Sequence, residues 1–101
     1  MPEFVKVAKK NEIPEDSGLC VEVGKREIGL FKVDGKVYAI DPICPHAGGP
    51  LTEGALNGDK VMCPWHGWEF SVTTGVCDFN DSIKQKSYKV KEVGDDIYVQ
   101  V

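Results

Sequence analysis

Histidine is scarce: His46 and His66 are the only two among 101 residues. An oxygen-activating mononuclear iron takes two His and a carboxylate, so one such site would consume every imidazole in the chain. Positive charge is also short, with 12 Lys and Arg against 16 Asp and Glu and a formal charge of −4. Nucleic acids are bound through clustered Lys and Arg, and an acidic excess argues against that partner. Long apolar runs are missing, and Met1 to Lys10 holds no apolar stretch of signal-peptide type. Neither a membrane span nor a secretory leader is expected, and the chain is expected to be cytoplasmic. No G-x-G-x-x-G follows a strand-like run, and a chain this short leaves no room for a nicotinamide or flavin domain. A sustained 3.6-residue hydrophobic period is absent too, which excludes a substantial amphipathic helix.

What is present is alternation. Apolar residues make up 42% of the chain, enough for a core without disulfide support. Phe4 to Val7 alternates apolar and polar side chains, as a half-buried strand does. Leu19 to Val23 and Ile28 to Val33 read the same way, closed by Gly24-Lys25 and Asp34-Gly35. Asp-Gly is a strong hairpin signal, and Lys36 to Ile40 is its return strand. Tyr88 to Val93 forms another run, and Gly94-Asp95 turns it into Asp96 to Val101. Residues 8–17 allow at most a helical turn around Asn11 to Ile13, limited by Pro14. The fold class predicted is all-β, built of antiparallel sheets in one domain over 1–101.

The stretch 41–81 differs. It carries four of the six Pro (Pro42, Pro45, Pro50, Pro64), Gly48-Gly49, both Trp and both His. Pro and Gly punctuate turns, so a loop-rich subdomain is expected there, with short strands at Lys60 to Met62 and Trp68 to Val72. Residues 41–70 also hold one positive and four negative side chains. This acidic excess is either a solvated face or a steering surface for a basic redox partner.

Within that stretch lie Cys44-Pro45-His46 and Cys63-Pro64-Trp65-His66. Random placement of four Cys and two His would fill such a frame less than about once in ten thousand chains. Thiolate plus imidazole suits zinc or iron–sulfur. Structural zinc usually separates paired ligands by two to four residues, and the single residue between Cys44 and His46 strains a chelate to one ion. A two-iron cluster relieves the strain if the Cys and His of each loop bind different irons. Two bridging sulfides and two protein ligands then complete each iron, the ligand count of a Rieske centre. Zinc stays open as the lesser alternative.

These motifs resemble the Rieske family, in particular the soluble Rieske-type ferredoxins of ring-hydroxylating oxygenase systems. The likeness lies in Cys44-Pro45-His46 followed by Gly48, Gly49, Pro50 and Leu51, and in Cys63-Pro64-Trp65-His66-Gly67-Trp68 with Phe70. It implies one 2Fe-2S cluster, with Cys44 and Cys63 on one iron and His46 and His66 on the other. Pro45, Gly48, Gly49, Trp65, Gly67 and Trp68 are implied to surround it. Two thiolates and two neutral imidazoles leave an oxidised cluster uncharged, which raises its potential above that of four-Cys clusters. High-potential members carry an extra Cys in each loop, and a Ser and a Tyr that donate to the sulfurs. Here those positions are Gly49, Trp65, Trp68 and Phe70, so a potential at the low end of the Rieske range is expected. The family's Pro-bearing shielding segment corresponds to Thr74 to Asp81, which has no Pro.

The resemblance implies a one-electron carrier with no substrate site of its own. Its implied partners are a flavoprotein reductase and a terminal oxygenase, docking transiently at the His46/His66 tip of a monomer. With both His used by the cluster, the chain cannot be a complete Rieske oxygenase. A small subunit of a larger oxidoreductase, such as a nitrite reductase, is the alternative reading. Exposed imidazole N–H groups, made acidic by bound iron, would lower the potential at alkaline pH. Cys20 and Cys77 fall outside the motif. Cys20, in a strand run, is expected to be an inert buried thiol, and Cys77 to lie in the shielding segment.

Overall fold

The computed structural model describes residues 4–43, 50–64, 67–78 and 82–100. Ten antiparallel strands form three sheets among these residues. The first sheet joins β1 (Phe4–Lys9) to β10 (Asp96–Gln100) and β10 to β9 (Val90–Val93). The second runs β2 (Gly18–Val23), β3 (Arg26–Val33), β4 (Lys36–Ile40) and β8 (Ser87–Tyr88). The third, β5 (Leu56–Asn57), β6 (Lys60–Met62) and β7 (Glu69–Ser71), lies between β4 and β8 in the chain. Among the described residues helix is confined to two single 3-10 turns, Lys10–Glu12 and Leu51–Glu53.

The predicted turns are in place. Asp34-Gly35 closes the β3–β4 hairpin, and Asp34 takes a positive φ of 51° as a type I′ turn requires. The first 3-10 turn falls where Pro14 allowed no more than one. One predicted strand divides. Tyr88 to Val93 is predicted as one run, yet Lys89 separates two short strands that serve different sheets. Ser87 and Tyr88 pair with Ile40 and Ala39, whereas Val90 to Val93 pair with β10. The chain crosses between sheets there, which alternation alone does not reveal.

The central sheet is covered on both faces, so four consecutive residues of β3, Ile28 to Phe31, are buried. Side chains alternate across a strand, and this alternation divides the core in two. Ile28, Leu30, Val37 and Ala39 face Ile97, Val99, Ala8 and Ile13 of the terminal segments. Phe31 and Ile40 point the other way, to Leu51, Val61, Cys63, Phe70, Val72 and Cys77. Burial of an aliphatic or aromatic side chain contributes about 1.5–3 kcal/mol. The second core therefore anchors the small sheet and its loops to the body of the domain.

Candidate metal centre

Two of the four predicted ligands, Cys44 and Cys63, follow directly on Ile43, which bridges Pro50, and on Met62, the last residue of β6. Of the predicted set, Cys63, Gly67 and Trp68 lie within the described residues. Cys44, Pro45, His46, Gly48, Gly49, Trp65 and His66 lie outside them.

The first loop, 44–49, is closed at its base. Ile43 and Pro50 form an isolated antiparallel bridge, and the Leu51 N–H donates to the Pro42 carbonyl at 2.7 Å. Asp41 Oδ1 accepts the Ile43 N–H at 3.3 Å, the side-chain-to-backbone bond typical of an Asp-led turn. On the entry side, the Asp41 N–H donates to the Lys86 carbonyl at 2.8 Å.

The second loop is the tip of the β6–β7 hairpin. The Cys63 N–H donates to the Trp68 carbonyl at 2.7 Å, and the Gly67 N–H donates to the Cys63 carbonyl at 2.9 Å. Gly67 has φ of +75°, the left-handed region that glycine enters without steric penalty. Trp68 packs against the core that holds Cys63.

The bases of the two loops are held together. After the first loop the chain makes the Leu51–Glu53 turn, which packs on β6. Leu51 and Cys63 share one core with Val61 and Phe70. Gly54 lies against the Met62 carbonyl so closely that a Cβ there would collide with it. The Met62 N–H in turn donates to the Ala55 carbonyl at 3.0 Å.

Cys63 is buried at 1% exposure and is in no disulfide. A buried, unpaired thiol at the root of a hairpin suits a sulfur ligand kept away from water. Of the four predicted ligands only Cys63 lies within the described residues, and its buried thiol suits a cluster ligand.

The other thiols depart from expectation in one case. Cys20 is exposed, not buried. The alternation of β2 directs Leu19, Val21 and Val23 towards the core, and Cys20 shares the opposite face with Glu22. Burial in part, then a hydrogen bond to Glu27 at 3.5 Å and the charges of Glu27 and Glu22, push its thiol up to about 11. Cys77 is buried at 1% exposure in the same core as Cys63. It lies opposite Phe70 in an isolated bridge, its N–H donating to the Ile83 carbonyl at 2.8 Å. Among the described residues Cys20 and Cys77 are both free.

The acidic side chains of the middle third are partly engaged within the fold. Asp41 caps the Ile43 N–H, and Asp59 accepts the Ser71 hydroxyl at 3.4 Å. Lys60 pairs with Asp78 at 2.6 Å, which raises the lysine above its ordinary range, first through this hydrogen bond.

One residue the motifs did not single out is Gln85. It is buried, and its side-chain Nε2 donates to the carbonyls of Asp41 at 3.0 Å and of Ile43. The partners are 44 and 42 residues away in sequence, so no local signal announces the contact.

Comparison with known proteins agrees with this geometry. The Rieske 2Fe-2S domain family matches residues 3–94. The ferredoxin component of the naphthalene 1,2-dioxygenase/salicylate 5-hydroxylase systems of a Ralstonia species is 35% identical over 89 residues, spanning 87% of this chain and 86% of that protein. A solved chain from the complex of reduced oxygenase and oxidised ferredoxin in carbazole 1,9a-dioxygenase superposes with a TM-score of 0.85 at 27% identity, covering 96% of this chain and 92% of that one. The small subunit of a putative NADH-dependent nitrite reductase from Mycobacterium tuberculosis superposes with a TM-score of 0.90, over 100% of this chain and 96% of that one. At 17% identity that likeness shows the fold alone. Two loops rooted side by side, a buried free thiol at the base of one, and a family match across nearly the whole chain lead to one conclusion: this protein belongs to the Rieske 2Fe-2S family and is an electron carrier of the ferredoxin type.

Proposed function

We propose that this chain takes one electron at a time from a flavoprotein reductase and delivers it to a terminal oxygenase. Cys44, His46, Cys63 and His66 are the proposed ligands of its cluster. When bound, a 2Fe-2S cluster supplies a single reversible electron at one of its irons. The protein's own part is to hold two loops together, keep the thiol side dry and leave the other side accessible to a partner. The observation that carries this reading is the rooting of both loops in one core, with Cys63 buried within it.

Docking is assigned to the end of the molecule that bears the loops. Ile43 and Met62, the residues immediately before Cys44 and Cys63, are exposed at 40% and 43%. Exposed large apolar side chains at such a site suit a small, short-lived contact of the kind electron-transfer partners make. The relatives named as ferredoxin components of oxygenase systems support an oxygenase as electron acceptor. No helix among the described residues is long and apolar enough to cross a membrane. A monomer acting in the cytoplasm fits this role.

The purified chain should be red-brown, with two irons and two acid-labile sulfides per chain. Replacing Cys44, Cys63, His46 or His66 by Ala should abolish the cluster while the body of the domain stays folded. A colourless protein with one zinc per chain would overturn the reading. Reduced protein mixed with a ring-hydroxylating oxygenase in a stopped-flow instrument should be reoxidised in a concentration-dependent step. Isolation only as a fixed complex with a larger oxidoreductase would favour a subunit over a mobile carrier.

A further inference from the structure

Gln85 is 5% exposed, and burying an amide is costly unless its polar atoms find partners. The side-chain NH2 has two hydrogens, and both are directed at one short stretch of backbone, the carbonyls of Asp41 and Ile43. The Ile43 carbonyl belongs to the same planar peptide group as the Cys44 nitrogen. Holding that oxygen therefore restrains the peptide that leads into the proposed ligand.

Gln85 is itself held from the opposite side. Its backbone N–H donates to the Gly75 carbonyl at 2.7 Å, and the Gly75 N–H donates to the Ser71 carbonyl at 2.6 Å, at the end of β7. The adjacent residue Lys86 accepts the Asp41 N–H. Val76, next to Gly75, bridges Lys84 and donates no slack to the segment, because the Ser71 N–H is bonded to its carbonyl at 3.0 Å. A continuous hydrogen-bonded path thus runs from the hairpin that carries Cys63, through Gly75 and Gln85, to the backbone entering the first loop.

We infer that Gln85 is a positioning residue for the metal centre: its amide clamps the Asp41–Ile43 backbone and sets the first loop against the Cys63 hairpin. The inference rests on Cys44 being a cluster ligand. It differs from an ordinary packing role, which would change stability without changing the cluster.

Two variants test it in the cluster-bearing protein. Gln85→Met keeps length and bulk but has no donor. Gln85→Glu keeps the shape and removes both N–H groups. Ile97→Val, in the other core, serves as a control that loosens the domain without touching the loops. The readouts are the loss rate of visible absorbance in excess iron chelator and the electron paramagnetic resonance spectrum of the reduced protein. Both Gln85 variants should lose the cluster about tenfold faster or more, with shifted g values, while Ile97→Val stays within about twofold of the parent. Gln85 variants that match the parent in rate and spectrum, or that are matched by Ile97→Val, would overturn the inference. So would failure of both Gln85 variants to fold while Ile97→Val folds, since Gln85 would then serve the whole core. A Cys44→Ala protein that keeps its cluster would instead overturn the ligand assignment beneath it.

Discussion

Cys20 stands on the outer face of β2 with its Sγ 3.5 Å from Glu27 Oε2. A thiol pushed from 9.0 to about 11 is ionised in about one molecule per thousand at pH 8, against about a tenth for the unshifted thiol. Exposure and reactivity are therefore separated: the side chain is accessible but seldom a nucleophile. Burial is the larger cause and stays in place when Glu27 is changed, so Glu27→Gln should restore only part of the reactivity. Iodoacetamide labelling of Cys20 at pH 8, followed by mass spectrometry, should run about threefold faster or more in that variant. An unchanged rate would show that Glu27 does not hold the proton. The exposure of Cys20 was legible from alternation, since Leu19, Val21 and Val23 occupy the other face. A residue-type preference for burial is the weaker guide where a period-2 pattern is present. Gln85 is the opposite case. Its role depends on two backbone carbonyls more than forty residues away, and nothing in the local sequence marks a glutamine as a clamp.

Between elements, Glu92 of β9 links the two large sheets. Its Oε2 accepts the Val37 N–H of β4 at 3.2 Å, and its Oε1 pairs with Lys10 at 3.0 Å. Burial opposes the carboxylate charge, but the bonds from Lys10 and Val37 outweigh it and lower the pKa. A depressed carboxylate stabilises the fold above the unfolded pKa, about 4.3, and that contribution is lost as pH falls through the folded value. Glu92→Gln should therefore cost roughly 0.5–1 kcal/mol at pH 7. The gap between variant and parent in urea unfolding should stay level down to about pH 5 and close below about pH 4. A gap independent of pH would assign the effect to shape, not charge. This contact also shows where strand reading stops. Strands β1 to β4 and β10 follow from alternation, and their turns from Asp34-Gly35, Gly24-Lys25 and Gly94-Asp95. The passage from β8 to β9 does not, because Tyr88, Lys89, Val90 and Lys91 alternate straight across it while the two strands join different sheets.

At the scale of the molecule, the two-core plan bears on the redox potential. By the family resemblance, the positions where high-potential Rieske proteins place hydroxyl donors correspond to Trp68 and Phe70 in this chain. Phe70 is fully buried, in the core with Leu51, Val61 and Cys63. Its ring stabilises the hairpin by packing and brings no hydroxyl to the cluster sulfurs. Nor does Trp68 bring a hydroxyl, and it packs against the same core. Hydrogen bonds to the sulfurs stabilise the reduced, more negative cluster and so raise the potential. With Cys44, Cys63, His46 and His66 as the proposed ligands, the centre would lie above four-Cys clusters, because two neutral imidazoles would replace two thiolates. Without the hydroxyl donors it belongs at the lower end of the Rieske span of about −150 to +300 mV. A mediated redox titration followed by visible circular dichroism should give a midpoint below about +100 mV. A higher midpoint would mean that other donors supply the missing bonds, and would remove the distinction from respiratory Rieske proteins. A low midpoint fits the proposed transfer onward to an oxygenase. Such a transfer needs a donor more reducing than its acceptor, and packing in place of hydroxyls at Trp68 and Phe70 acts in that direction.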